Sequence, residues 1–334
     1  MMSLIVFIVL IALVFDFLNG FHDAANSIAT IVSTRVLTPR KAVLWAAFFN
    51  FLAAFLFTGH NVAKTIGKGL VTPSLVNENV ILAALLGAIA WNIITWYYGI
   101  PSSSSHALMG GLGGAAIMRA GFGSIIWSGW IKTLIFIVVA PVLGMVLGFG
   151  MMMLLMWMFH KHPSSKINGV FRKLQLVSAA FYSLGHGAND AQKTMGIITI
   201  LLINAQLIQT SGPDDFPIKW WIIIPCYTAI SLGTMFGGWR IVKTMGQKVT
   251  KLKPVGGFCA ETAGAFTLLI TAFSGIAVST THTITGAIMG VGATKRMSAV
   301  KWGLAGKIVI AWIITIPVSA LVSAGCYWMI ERFI

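Results

Sequence analysis

Two related polar strings stand inside long apolar runs: GFHDAANS at residues 20–27 and GANDAQKT at residues 187–194. Both contain a glycine and then an aspartate at matching places, so that Asp23 aligns with Asp190. A carboxylate inside such an apolar run is costly unless it is partnered, and residues of this kind are functional by default. The strings therefore predict a membrane-buried polar site to which both halves of the chain contribute.

A second pair of polar strings follows the first pair in the same order. SSSHALMGGLGG at residues 103–114 aligns with STTHTITGAIMG at residues 279–290. Two signatures that recur in one order indicate an internal repeat. We predict a first repeat at residues 1–159, a basic cytoplasmic linker at 160–173 and a second repeat at 174–334.

The composition of the 334 residues indicates a protein that lies in a lipid bilayer. Hydrophobic residues make up 57% and charged residues 9%, whereas soluble domains have about 25% charged residues. At roughly 20 apolar residues per crossing, the chain has room for about ten to twelve membrane segments. The predicted fold class is an all-α polytopic membrane protein.

The formal charge of +15 is explained by basic residues placed according to membrane topology, and it does not indicate nucleic-acid binding. An excess of Lys and Arg in short loops marks the cytoplasmic side. Most of the basic residues fall in four clusters between apolar runs, at 35–41, 161–173, 240–253 and 295–307. With these clusters inside, both halves cross the membrane an odd number of times and therefore have opposite orientations. The prediction is a multi-pass protein of the cell (inner) membrane with two inverted-topology repeats and both termini outside, a plan common in secondary transporters.

The runs that carry the two aspartates are too long for one straight crossing. Residues 2–34 and 174–206 would each extend about 50 Å at ~1.5 Å per residue, while the hydrocarbon core is about 30 Å thick. Irregular backbone at membrane depth is tolerated only against protein or a wet cavity. We expect both helices to be interrupted at their polar strings, with the two breaks facing one shared site.

Oxygen-bearing side chains near these strings suit a hard alkali cation. The aspartates could instead be structural helix caps, but their repeat-related pairing favours ion binding. The predicted sodium ligands are Asp23, Asn26, Ser103, Asn189, Asp190 and Ser279.

Hydroxyl side chains precede a Gly-rich helix in each half. Hydroxyl donors beside free N–H groups at a helix N-terminus form an anion site without a fixed cation. The alternative interpretation is helix capping by Ser and Thr, with glycines for close helix packing. The predicted anion ligands are Ser104, Ser105, Thr280 and Thr281, together with Gln192.

Charge balance suggests coupled transport. Two aspartates and an anion such as phosphate, buried together, need compensating charge. Lys193 returns one positive charge, and bound cations would neutralise the rest. Glu261 is either an accessory cation ligand or gate, or an interfacial carboxylate paired with a Lys. His106 and His282 are either proton relays or hydrogen-bonded structural groups.

The motifs resemble the inorganic phosphate transporter (PiT) family, whose signature is a Gly-Ala-Asn-Asp-type motif in both halves. GAND stands at residues 187–190, and the first copy reads GFHD at residues 20–23, with His22 in place of Asn. The resemblance covers essentially the whole chain. It implies symport of phosphate with a cation, inverted repeats, re-entrant hairpins and a homodimer.

Sodium is the favoured coupling ion because the candidate ligands are Asp, Asn, Ser and Thr oxygens. A proton-coupled symporter for phosphate or sulfate is the alternative within the same class. An anion channel or a non-transporting membrane receptor is the alternative of another class, although paired intramembrane carboxylates favour alternating access. We find no nucleotide motif or catalytic constellation, and so predict no enzyme and no cofactor beyond the coupling ions. The predicted partners are phosphate, sodium ions, the lipid bilayer and a second copy of the chain, with no nucleic acid.

Overall fold

The computed structural model describes residues 2–212 and 215–333, where helices are present and no β-strand is found. The all-α prediction is therefore confirmed. The α-helices are α1 (Met2–Ser33), α2 (Pro39–Leu56), α3 (Asn61–Lys68), α4 (Glu78–Tyr98), α5 (Ser104–Ala120), α6 (Trp127–Met158), α7 (Ser164–Asn204), α8 (Trp220–Phe236), α9 (Trp239–Lys243), α10 (Pro254–Phe273), α11 (Thr280–Ala293) and α12 (Trp302–Phe333).

Several of these helices have the length and composition of membrane spans. Among the described residues, five qualify individually, namely α1, α4, α6, α10 and α12. The number rises to seven if the bent pairs α2–α3 and α8–α9 each form one span. Helices α5 and α11, with 17 and 14 residues, are shorter than the roughly 20 residues that a crossing needs. The helix count thus agrees with the predicted number of membrane segments, but not every segment is a complete span.

The aspartate-bearing helices are continuous, which corrects the expected interruption at the polar strings. Helix α1 runs through residues 20–27 and α7 through residues 187–194 without a break. Polar side chains in both strings find partners on other helices: Asn26 donates to Thr281 Oγ1 (2.9 Å), and Asn189 donates to Leu268 O (2.9 Å). Because these amide N–H groups are bonded in the helical conformation, the backbone need not unwind to provide partners for them.

The excess length of α7 is accommodated at its beginning. Its first residues, 164–170, are mostly exposed and belong to the predicted basic linker. The linker is therefore partly helical and continues into the second half without a break in the helix.

The breaks lie instead in the helices that follow. Helices α2 and α3 meet at 86°, and α8 meets the helical segment Trp239–Val249, which begins with α9, at 60°. Each pair forms either a broken span or a re-entrant loop. Gly237, at the second break, has a φ angle of 68°, a conformation that glycine adopts at little cost because it lacks a Cβ.

The helices of the two halves pack in corresponding ways. Helix α1 packs against α8 and α7 against α2, while α5 packs against α12 and α11 against α6. Glycines allow the last two approaches: a Cβ at Gly114 would lie 2.1 Å from Ala320 O, and one at Gly290 would lie 2.0 Å from Met145 O. This correspondence supports an internal repeat, while the opposite orientation of its halves in a membrane stays a prediction.

Buried apolar side chains form two groups, one toward each end of the bundle. Ile8 of α1 and Leu201 of α7 belong to the first group, and Ile31 and Tyr182 of the same helices belong to the second. The polar residues of α1 and α7 fall where one group gives way to the other. The fold therefore puts these polar residues near the middle of the helix bundle.

The outer surface of the bundle is apolar. Large hydrophobic side chains are exposed along α6 and α12, among them Val138, Ile313 and Leu321. Soluble monomers rarely expose contiguous apolar surface of this kind. These faces are suited to contact with lipid.

The four basic clusters lie on one face of the bundle. Arg172 donates to Arg35 O (2.7 Å), and Lys295 donates to Lys251 O (3.1 Å). A cavity of about 410 Å³ connects the linker with Lys253 and Lys295. Burial and the neighbouring Lys253 lower the pKa of Lys295, which lies outside the membrane-spanning segments. A single basic face agrees with the predicted topology, and its assignment to the cytoplasm stays a prediction.

Candidate cation and anion site

The two repeat-related aspartates meet inside the bundle. One ligand atom each from Asp23, His186 and Asp190 lies within 4.8 Å of the other two. All three residues are buried, and none has more than 2% of its surface exposed. Two carboxylates at this distance repel each other when both are charged. The arrangement therefore favours positive charge beside them.

Asp190 has a lysine partner from its own string. Lys193 Nζ lies 2.5 Å from Asp190 Oδ1, close to one helical turn further along α7. Thr280 donates to Asp190 Oδ2 (3.0 Å), and His186 Nε2 lies 3.2 Å from the same oxygen. Spacings of three and four residues put side chains on one face of a helix. Helix α7 alone therefore supplies a carboxylate and two basic groups to the site.

Lys193 also links the two halves of the chain. Its ammonium group donates to Ser105 Oγ at the start of α5, and to Val278 O (3.0 Å) just before α11. A lysine ammonium has three N–H donors. Because the ammonium group also donates to Asp190, each of its three N–H donors has an oxygen partner.

Asp23 has a histidine partner. His22 Nδ1 lies 2.6 Å from Asp23 Oδ1, and His22 Nε2 lies 3.0 Å from Thr95 Oγ1. Thr95 Oγ1 also accepts a hydrogen bond from Ser102 (3.0 Å). The His that departs from the motif thus holds Asp23 and connects α1 to α4.

The N-termini of α5 and α11 face each other beside these carboxylates. The rings of His106 and His282, each in the first turn of its helix, have centroids 4.7 Å apart. Asn26 donates to Thr280 Oγ1 (3.2 Å) and Thr281 Oγ1 (2.9 Å). Helix N-termini carry partial positive charge and unpaired N–H groups. The structure thus brings the two hydroxyl strings together, in a place suited to an anion.

Three of the predicted ligands have buried oxygens without a hydrogen-bond partner among the described residues: Asn26 Oδ1, Ser104 Oγ and Asn189 Oδ1. An unsatisfied buried polar atom costs about 1–3 kcal/mol, and most such atoms in proteins find a partner. Among the predicted ligands, these oxygens are therefore the best candidates for contact with a bound ion.

Comparison with known proteins identifies the family. The family model described as "Phosphate transporter family" matches residues 19–323. The chain belongs to the phosphate transporter family. The resemblance in the motifs is thereby confirmed.

Relatives and a solved structure agree with this assignment. The transporter is 58% identical to a probable low-affinity inorganic phosphate transporter of Rhizobium meliloti (strain 1021), over 97% of this chain and 96% of that protein. It is 48% identical to a probable low-affinity inorganic phosphate transporter of Bacillus subtilis (strain 168), over 99% and 98%. A solved structure titled "The sodium-dependent phosphate transporter" matches with a TM-score of 0.90 and 27% identity, over 99% of this chain and 100% of that one. These relatives are transporters, in agreement with the prediction that the chain is not an enzyme.

Two of the transporter's predicted sodium ligands are helix caps. Ser103 Oγ accepts from the N–H of His106, and Ser279 Oγ accepts from the N–H of His282, both at 3.2 Å. Capping is the alternative considered for these hydroxyl strings. A hydroxyl oxygen has a second lone pair, so a role in sodium binding stays a prediction for both serines.

Gln192 contacts the break between α2 and α3. Its Oε1 accepts from the N–H groups of Val62 (3.1 Å) and Ala63 (3.4 Å), and its Nε2 donates to Gly59 O (3.2 Å). These bonds satisfy free N–H groups at the start of α3. They give Gln192 a structural role here, and its predicted contact with an anion stays a prediction.

Glu261 lies in a separate buried cluster. It accepts hydrogen bonds from Thr30 (2.6 Å), Gln175 (2.9 Å) and Ser178 (2.5 Å), and it is fully buried. The alternative of an interfacial carboxylate paired with a Lys is wrong, because these partners are neutral and come from α1 and α7. Its accessory role in cation binding stays a prediction.

The two histidines of the hydroxyl strings are packed among aromatic rings. His282 stacks on Trp312 with centroids 4.0 Å apart, in addition to its contact with His106. Both His282 nitrogens lack a hydrogen-bond partner among the described residues. The proton-relay role stays a prediction for both histidines.

Sequence reasoning missed three contributors to the site. His186 lies four residues before Asp190, and that helical spacing could have revealed it. Thr95 and Tyr182, whose hydroxyl donates to Thr280 O (3.0 Å), come from segments without a polar motif. Only the packing of the helices reveals them.

Proposed function

We propose that the transporter is a secondary active symporter that carries inorganic phosphate together with sodium ions by alternating access. The observation that carries the proposal is the meeting of Asp23 and Asp190 beside the facing N-termini of α5 and α11. The names of the relatives support phosphate as the substrate. The name of the similar solved structure supports sodium.

Electrostatics gives the physical reason for coupling. Phosphate carries negative charge, and it would lie near two buried carboxylates, of which Asp190 is paired with Lys193. Uncompensated charge in such a place is strongly unfavourable. Sodium ions at Asp23 and the nearby amide oxygens offset it, so phosphate and sodium each favour the binding of the other.

Helix N-termini and hydroxyls suit the anion. Ser104, Ser105 and Thr281 offer O–H donors next to the free N–H groups of α5 and α11. The hydroxyl of Thr280, which donates to Asp190 in this structure, would have to turn toward the anion. Hydrogen bonds to a charged group contribute about 1.5–3 kcal/mol each. A few such bonds can hold phosphate without direct contact to a positively charged side chain, which would hinder its release.

Uptake of radiolabelled phosphate into proteoliposomes tests the proposal. An inward sodium gradient, with the pH and voltage gradients abolished by ionophores, should drive phosphate above its equilibrium concentration. Uptake that never exceeds equilibrium would favour an anion channel, and binding without uptake would favour a receptor. Excess unlabelled sulfate should leave the uptake of labelled phosphate unchanged if the protein is a phosphate carrier, and should suppress that uptake if it is a sulfate carrier.

Proton coupling is the second candidate, favoured by the contact between His22 and Asp23. Histidine is the side chain whose charge changes most readily near neutral pH. Uptake driven by an imposed pH gradient in the absence of sodium selects this candidate. His22→Asn, which restores the motif of the second half, should then abolish the response to the pH gradient.

The remaining partners and the location are part of the same proposal. We propose a homodimer in the cell (inner) membrane with both termini outside. Crosslinking of the purified protein in lipid nanodiscs tests the dimer.

A further inference from the structure

We infer that Lys193 is a built-in cation that takes the place of one coupling ion, so that the second half of the transporter binds no sodium at Asp190. The inference rests on the proposed cation-coupled function and specifies how many ions that function uses. It arises from the contacts of one ammonium group and from the comparison of the two halves.

The ammonium group lies among the kinds of ligand that a hard cation takes. Its partners are the carboxylate of Asp190, the hydroxyl of Ser105 and the main-chain oxygen of Val278. Carboxylate, hydroxyl and carbonyl oxygens are also the ligands of hard metal ions in proteins. The side chain is buried, with 1% of its surface exposed. A buried lysine is retained when it is paired, and this one has a full set of partners.

The first half has no such group at the matching position. Lys193 aligns with Asn26, and Ser105 aligns with Thr281. Asn26 donates to Thr281 Oγ1 just as Lys193 donates to Ser105 Oγ, so the two side chains reach equivalent places. The difference is in charge. Asn26 keeps a buried Oδ1 without a partner among the described residues, whereas Lys193 brings a positive charge of its own.

The contacts argue against Lys193 as a direct ligand of phosphate. All three of its N–H donors already have oxygen partners, one of them the negatively charged Asp190. Binding phosphate would require breaking one of these bonds. A neutral Asn at the same position would leave Asp190 without its cation and would leave room for sodium.

The experiment replaces the lysine by its counterpart from the first half. In Lys193→Asn, sodium should enter the vacated place, and the number of sodium ions moved with each phosphate should rise by one. The coupling ratio is measured in proteoliposomes from the membrane voltage at which net phosphate flux is zero under fixed gradients. Ser183→Ala is the control, because that buried hydroxyl of the same helix donates to Ala179 O and leaves the pair of Lys193 and Asp190 unchanged. Its coupling ratio should equal that of the wild type.

Thermal unfolding in detergent gives a second readout that does not depend on transport. Sodium should raise the Tm of Lys193→Asn more steeply than that of the wild type or of Ser183→Ala. The unfolding experiment still tests the inference if phosphate uptake by the wild type does not depend on sodium. That outcome would overturn the proposed function and leave the inference to be decided by the Tm values. An Lys193→Asn protein that has the wild-type coupling ratio and sodium response, or that is unfolded at every sodium concentration, would overturn the inference.

Discussion

A carboxylate oxygen of Asp23 and one of Asp190 lie within 4.8 Å of each other, although the two residues belong to opposite halves of the chain. Their basic partners come from the same two strings: His22 contacts Asp23, and Lys193 contacts Asp190. In a site sheltered from water, the attraction between these carboxylates and a cation exceeds its value at a surface. We therefore expect the two carboxylates, Asp23 and Asp190, to couple cation binding to anion binding.

The hydroxyls at the two helix N-termini should bind phosphate. Ser105→Ala and Thr281→Ala each remove one donor, and the loss of a bond to an anion costs about 1.5–3 kcal/mol, which is roughly ten-fold or more in Kd. Isothermal titration of phosphate at fixed sodium measures this change. Ser183→Ala is the control, since that buried hydroxyl donates to Ala179 O within its own helix. Wild-type affinity in both test variants would mean that these hydroxyls serve only the helix ends.

The close contact between α11 and α6 should not tolerate a side chain. A Cβ at Gly290 would lie 2.0 Å from Met145 O, while one at Gly150 would have no atom within 4 Å. Gly290→Ala should therefore lower the free energy of unfolding by about 1–3 kcal/mol or more through overpacking. Gly150→Ala should raise the free energy of unfolding by up to about 1 kcal/mol, because alanine has the higher helix propensity. Thermal unfolding in detergent measures both. Equal Tm values for the two variants would contradict the packing described for this pair of helices.

The basic face should be cytoplasmic. In a background without Cys226, Cys259 and Cys326, a cysteine at Ser165 should react with an impermeant maleimide only after the cells are opened. A cysteine at Ser211, in the loop after α7, should react in intact cells, because Ser165 lies in the first turn of this 41-residue helix and Ser211 lies beyond its other end. Labelling of Ser165→Cys in intact cells would overturn the predicted topology.

The sequence was sufficient to predict the fold class and the main polar groups. Apolar composition, the two pairs of strings and the placement of Lys and Arg gave the all-α membrane protein and its single basic face. The strings also identified Asp23, Asp190 and the hydroxyls of α5 and α11, which the fold brings together. Functional polar residues in apolar runs can be recognised from sequence, because placing such residues in a membrane costs free energy and those that occur there usually have a function.

Helix continuity and individual bonding partners could not be predicted in the same way. The string at Asp190 looked like a break, but Asn189 bonds to Leu268 O on α10 and the helix continues. Gln192 looked like a ligand, but its amide holds the start of α3. These outcomes depend on which helix packs beside which, and composition and spacing along one chain do not contain that information.

Phosphate binding across a series of sodium concentrations tests the central claim most directly. Asp23→Asn and Asp190→Asn keep the shape of the side chain and remove one negative charge each. The second variant also leaves Lys193 without its carboxylate partner. Purified wild type and both variants are compared, with folding verified by thermal unfolding. Because coupling between two binding sites is reciprocal, phosphate affinity in the wild type should rise with sodium. Asp23→Asn should lose most of that rise because it removes a carboxylate that binds sodium, and Asp190→Asn should lose it because the unpaired ammonium group of Lys193 then repels sodium. Folded variants with the sodium dependence of the wild type would contradict the claim that these two carboxylates couple sodium to phosphate.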